Sequence, residues 1–159
     1  MGTFLIVEDI SSHRENIEQH LEQNGHKPFP ISGKTTDVLF ERASSFLKDE
    51  FSPTERLDFL ILDVRYEDDT LGGLDLYNRM VLEGLRDYWK HTFVCSQFVD
   101  QLESDDGLVL QGFCSAAFIP IKNLISKTTR RGAAILARVN EIQDANERRL
   151  VVSVDAKID

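Results

Sequence analysis

With 159 residues, 42% apolar and 28% charged, the chain has the composition of one globular domain able to bury a sizeable core. Its formal net charge of −9 argues against non-specific nucleic-acid binding, which depends on Lys and Arg neutralising phosphates. No stretch approaches the roughly 20 apolar residues of a membrane helix, the short apolar run at the N-terminus lacks a cationic lead, and Cys95 and Cys114 read as buried reduced thiols, so a cytoplasmic protein without a membrane partner is expected.

Phe4-Leu5-Ile6-Val7 is a fully apolar run that ends at Glu8 and Asp9, the pattern of a strand buried on both faces of a parallel sheet. Ser11 or Ser12 then caps a helix whose inner face carries Ile17 and Leu21, and Asn24-Gly25 ends it. Lys27 to Ser32 is a weaker strand; Pro28 and Pro30 place it at a sheet edge. Thr35 to Lys48 reads as a helix, and Phe59-Leu60-Ile61-Leu62 as the clearest buried strand, terminated by Asp63.

A polar loop from Tyr66 to Gly73 leads to a helix over Leu74 to Leu85. His91 to Cys95 is a further strand ending at Ser96, Phe98 to Gln111 a helix disturbed near Gly107, and Ala116 to Ile121 a short last strand followed by Lys122. One long helix is expected from Asn123 to about Arg149, with Leu124, Ile125, Ile135, Val139 and Ile142 inward. The domain is read as 1–149, and 150–159 as a tail or short extra strand that could serve a homodimer. Strands alternating with helices predict right-handed crossovers and a flavodoxin-like α/β fold: a doubly wound five-stranded parallel sheet, order 2-1-3-4-5, with helices on both faces.

In such sheets ligands gather at the carboxyl ends of the strands, near the point where the strand order reverses. Those ends carry Glu8, Asp9 and Asp63, followed by Ser96 and Lys122. Three carboxylates brought together repel unless a cation intervenes. Mg²⁺ suits them, being hard and oxygen-seeking. A carboxylate beside it can accept a phosphoryl group, since positioning and charge neutralisation do most of that chemistry.

Phe4-Leu5-Ile6-Val7-Glu8-Asp9, Leu60-Ile61-Leu62-Asp63-Val64, Gly73-Leu74-Asp75-Leu76, Val94-Cys95-Ser96 and Ala117-Phe118-Ile119-Pro120, in that order, resemble the receiver domains of two-component response regulators, CheY-like proteins. The resemblance implies that Asp63 is the phosphoacceptor. Mg²⁺ would be held by Asp9, Asp63 and the Arg65 backbone carbonyl, with Glu8 acting mainly through water. It assigns Ser96 as the hydroxyl that turns toward the phosphoryl group, Phe118 as the aromatic switch, and Lys122 as the lysine. Two departures stand out. The family places its lysine three residues after the aromatic, where this chain has Ile121, so Lys122 is shifted by one. The loop 65–71 is long and carries three further acids, Glu67, Asp68 and Asp69.

The implied protein is a stand-alone signalling phosphoacceptor rather than an enzyme, at most slowly self-dephosphorylating. It would be charged by a histidine kinase or phosphotransfer protein and would pass its signal to a downstream protein target. The alternative, motivated by the shifted lysine, is a degenerate receiver acting as a phosphorylation-independent interaction module. A metal-dependent phosphohydrolase of the haloacid dehalogenase type is disfavoured because Arg65 stands two residues after Asp63, where such enzymes carry a second acid.

Overall fold

The computed structural model describes residues 1–127 and 130–158, with side chains described as far as residue 149. Five strands, β1 (Thr3–Val7), β2 (Lys27–Ile31), β3 (Leu57–Asp63), β4 (Trp89–Ser96) and β5 (Leu124–Ser126), form one sheet in the order β2-β1-β3-β4-β5. Every pairing is parallel. The helices are α1 (Ser11–Gln23), α2 (Thr36–Glu50), α3 (Gly72–Leu82), α4 (Asp105–Ala116) and α5 (Arg131–Ile158). The expected flavodoxin-like architecture is the observed one.

Alternation along the strands divides the apolar residues between two cores. Leu5, Val7, Leu60, Leu62 and Val94 face α2, α3 and α4, meeting Leu39, Leu47, Leu76, Met80 and Leu110. Phe4, Ile6, Phe59, Ile61, Phe93 and Cys95 face α1 and α5, meeting Ile17, Leu21, Ile135 and Val139. Because both faces are covered, the central strands read as unbroken apolar runs. The proline-bearing strand β2 lies at the edge, paired only with β1, where the missing N–H groups of Pro28 and Pro30 leave no gap in a central ladder.

Local capping differs from expectation at α1. The N-cap is Ile10, whose amide donates to Glu8 Oε1 (3.2 Å), while Arg14 Nη1 donates to the Glu8 carbonyl oxygen (2.7 Å); neither Ser11 nor Ser12 caps the helix. At α2 the Thr35 hydroxyl accepts from the Val38 amide (3.2 Å). Gly25 ends α1 with φ +79°, in the left-handed region that glycine enters without steric penalty.

The largest correction lies between β4 and α5. Ser96 Oγ accepts from the Phe98 amide (3.0 Å) and starts a 3₁₀ turn over Gln97–Gln101, so α4 begins later, where Ser104 Oγ accepts from the Gly107 amide (3.1 Å). Started late, α4 runs to Ala116, and Ala117-Phe118-Ile119, expected as a strand, forms its C-terminal cap. There the Phe118 amide donates to the Ser115 carbonyl (3.3 Å) and the Ile119 amide to the Cys114 carbonyl (2.9 Å). A 3₁₀ turn over Ile121–Asn123 follows, and the fifth strand is Leu124-Ile125-Ser126.

Buried Asn123 anchors that strand's start. Its Nδ2 donates to the Thr92 carbonyl of β4 (3.0 Å), and its Oδ1 accepts from Arg138 Nε of α5 (2.7 Å). The register is Val94↔Leu124, Cys95↔Ile125 and Ser96↔Ser126. Leu124 and Ile125, expected on a helix, therefore belong to the sheet, and α5 starts at Arg131. Its backbone continues helical through 150–158, so the extra strand expected there is not formed. Among the described residues no helix is long and apolar enough to cross a membrane.

Candidate functional site

Strands β1, β3, β4 and β5 all end on the same rim of the sheet. Glu8 and Asp9 follow β1 directly, and Asp63 closes β3, which pairs with β1 through Val7↔Leu62. Carboxylate oxygens of Glu8, Asp9 and Asp63 lie within 4.8 Å of one another. Glu8 is 2% and Asp63 1% exposed. A cleft of about 630 Å³ opens over them, with Asp9, His13, Arg65, Gln97, Lys127 and Arg131 on its walls.

Glycine sets the depth of Asp63. A Cβ on Gly73 would stand 2.0 Å from the Asp63 carbonyl oxygen, far inside contact distance, and the Gly73 amide donates to the Val64 carbonyl (2.8 Å). The first turn of α3 thus packs directly against the backbone that carries the acid. The chain from Arg65 to Leu71 is held by a bridge between Tyr66 and Asp69 and by the Glu67 amide, which donates to Asp9 Oδ2 (2.9 Å). Of the three acids in this loop, Asp68 turns away to α2. There its carboxylate accepts from the Thr36 amide (3.1 Å) and the Thr36 hydroxyl (3.0 Å).

The cation beside Asp63 is Lys127, the residue immediately after β5, whose ammonium pairs with Asp63 Oδ1. Two expectations fall with this observation. Lys122 lies on the Ile121–Asn123 turn and is exposed, away from the pocket. Phe118 is 92% exposed on the α4 cap rather than placed beneath the site. The physical reason is the displaced strand: a lysine reaches this rim only at the carboxyl end of the fifth strand, and that strand ends at Ser126. Three residues before Lys127 stands Leu124, buried and not aromatic. The signal available in the sequence was Leu124-Ile125-Ser126-Lys127 itself, an apolar pair followed by a small polar residue and a lysine, masked by a helical reading of the same residues.

Ser96 is buried at the end of β4, next to Cys95, which pairs with Asp63, and its hydroxyl caps the following 3₁₀ turn. Two basic residues escaped the sequence reading. Arg131, the first residue of α5, brings Nη1 to 3.6 Å from Glu8 Oε2, and His13 Nδ1 lies 3.9 Å from Glu8 Oε1.

Burial and like charge dominate the electrostatics. Burial, reinforced by the neighbouring Asp63, pushes the Glu8 carboxyl up to about 9. Burial also raises Asp63, with Lys127 opposing it. Burial and the charges of Arg131 and Lys127 hold the His13 imidazole below its usual range. The Tyr66 phenol is pushed well above its usual value by burial and by Asp63. The Cys95 thiol, buried beneath the acids, is pushed up to about 12.

Asp9 Oδ1 and Asp63 Oδ2 are buried and accept no hydrogen bond among the described residues. Such acceptors, aimed at one another from three chain segments, fit a hard divalent cation with oxygen ligands. Glu8, Asp9 and Asp63 would hold it, and Arg65 lines the same cleft.

No family model matches the chain, and no curated protein does. Solved structures do. A CheY-like response regulator receiver domain from Methanospirillum hungatei superposes with a TM-score of 0.63 at 18% identity, over 94% of this chain and 98% of that one. A response regulator from Thermotoga maritima gives 0.56 at 20% identity, over 89% and 97%. The chemotaxis response regulator CheY4 of Vibrio cholerae gives 0.60 at 13%, over 89% and 98%. Strand order, helix placement and the full-length match agree: the chain has the fold of CheY-like response regulator receiver domains.

Proposed function

We propose that the chain is a phosphoacceptor, taking a phosphoryl group on Asp63 with Mg²⁺ and passing the signal to a protein partner. The observation that carries this reading is Asp63 itself: buried at the end of β3, with one oxygen paired to Lys127 and the other free of hydrogen bonds beside Asp9 and Glu8. The acceptor is held and charge-compensated, beneath a cleft lined by Asp9 and Lys127.

Chemically, Asp63 Oδ2 supplies the nucleophilic oxygen. Lys127 orients the carboxylate through Oδ1 and stands ready for the negative charge that a phosphoryl group brings. Glu8, Asp9, Asp63 and the Arg65 carbonyl would hold Mg²⁺, which when bound neutralises charge on the acids and on the transferring group. Ser96, at the end of β4 beside the Asp63 pairing, offers a hydroxyl proton while its oxygen accepts from Phe98. A phosphohistidine donor, on a kinase or a phosphotransfer protein, is the partner this chemistry calls for, and the role is signalling rather than turnover.

The pairing of Lys127 with Asp63 favours this reading over a phosphorylation-independent module, whose motive was the shift of Lys122. Incubation with Mg²⁺ and a small acyl-phosphate donor, followed by intact-mass measurement, tests the proposal. Wild type should gain one phosphoryl group and Asp63→Asn none; equal labelling of the two removes Asp63 from the role.

A further inference from the structure

The cleft above the acids has two chemically opposite halves. Beneath one half lie buried acceptors, Asp9 Oδ1 and Asp63 Oδ2. The other presents basic nitrogens: Arg131 Nη1 pairs with Glu8 only at 3.6 Å, His13 Nδ1 lies 3.9 Å from the same carboxylate, and neither atom makes a hydrogen bond among the described residues. Arg131 is 11% exposed, and its 3.6 Å approach to Glu8 is too long for a hydrogen bond. Nη1 is thus poorly satisfied and keeps a charged N–H free for an oxyanion.

Formal charge points the same way. With its acids ionised, the pocket sets Glu8, Asp9 and Asp63 against Lys127 and Arg131. A divalent cation at the acids reverses that balance. It then competes with Arg131 for Glu8 and leaves the guanidinium short of an anion. Lys127, His13 and Arg131 line the same cleft, so an anion seated between them lies beside Asp63.

We propose that Arg131, with His13 beside it, forms an oxyanion site at the mouth of the acid pocket, binding a phosphate-class tetrahedral anion once the acids hold a divalent cation. The inference rests on the phosphoacceptor reading for its biological use, not for its existence. Arg131 binds the anion and is not itself a nucleophile or acid. The oxyanion comes either from free phosphate or from a phosphoryl group on Asp63.

The test compares wild type with Arg131→Gln and Arg131→Lys, after melting curves show which variants are folded. Mg²⁺ affinity is measured by calorimetry without phosphate, and orthophosphate affinity by ³¹P NMR at saturating Mg²⁺. Arg131→Gln should bind Mg²⁺ several-fold tighter and orthophosphate about tenfold weaker, the scale of one lost charge-assisted hydrogen bond. Arg131→Lys should fall between. A packing role would weaken both affinities together. That outcome, unchanged affinities, or wild type that binds no orthophosphate overturns the proposal.

Asp63→Asn separates the sources of the anion. Retained orthophosphate binding in that variant assigns the site to free oxyanions. Binding lost there although Mg²⁺ still binds, with a faster loss of label from Arg131→Gln than from wild type, assigns it to an anion held at Asp63. A wild type that takes no label yet shows the opposed affinity changes keeps the oxyanion site and ends the phosphoacceptor reading alone.

Discussion

The ammonium of Lys127 rests against Oδ1 of Asp63, joining the end of β5 to the end of β3 through a contact in which the acid is 1% and the lysine 14% exposed. This pair depends on the register of the shortest strand in the sheet, and it decides which lysine serves the site.

Lys127→Met should slow labelling of Asp63 by tenfold or more, since roughly 1.4 kcal/mol of transition-state stabilisation accounts for a factor of ten. Lys122→Met should leave the rate unchanged. Time courses by intact-mass spectrometry compare them directly, and a larger effect at Lys122 would return the lysine role to the turn before β5.

Glu8 makes stability depend on pH in a known direction. Its folded carboxyl is raised from the ordinary 4.5 to about 9. Below 4.5 the folded and unfolded chains both hold the proton. Between 4.5 and about 9 the folded chain keeps a proton that the unfolded chain has released, so stability falls as pH rises. Urea midpoints of the metal-free protein should therefore drop between pH 5 and pH 9, and Mg²⁺ should reverse the drop at the alkaline end. Glu8→Gln should flatten the slope.

Phe118 holds φ +56° at a helix end where glycine is the usual residue, and its ring is 92% exposed. Relieving that backbone removes no buried contact. Phe118→Gly should stabilise the chain by about 1 kcal/mol, read from urea denaturation, with Asp63 labelling unaltered.

Gly73→Ala should act in the opposite sense. The added methyl would meet the Asp63 carbonyl at 2.0 Å, and backbone, unlike a side chain, cannot swing aside. A loss of about 3 kcal/mol or more is expected by denaturation. Folded material should label poorly, because the displaced peptide is the one that presents the acceptor.

Asp68 bonds both the amide and the hydroxyl of Thr36, tying the loop after β3 to the start of α2. Asp68→Ala should cost about 1 kcal/mol, the usual effect of losing a helix-terminal acceptor. Mg²⁺ affinity should be nearly unchanged, because this carboxylate points to the helix and not to Glu8 and Asp9.

Local sequence determined the sheet and the acids. Phe4 to Val7 and Phe59 to Leu62 are apolar without interruption because both faces of a central parallel strand are buried, and a carboxylate directly after such a run can lie only at the strand's carboxyl end. Glu8, Asp9 and Asp63 were therefore legible as one site before any coordinates. Pro28 and Pro30 marked the edge strand for an equally local reason, the missing amide hydrogens.

Tertiary structure alone decided the rest. The segment from Phe98 to Ile125 carries apolar residues compatible with either helix or strand. Its division was settled by Asn123 reaching Thr92 and Arg138, distant in sequence, to anchor β5, with Ser96 capping the local turn that delays α4. A side chain's place on a short strand depends on pairing register, which no local pattern encodes. For that reason Lys127, and with it Arg131 at the head of α5, reached the pocket unannounced, whereas Lys122 and Phe118 remained on the surface.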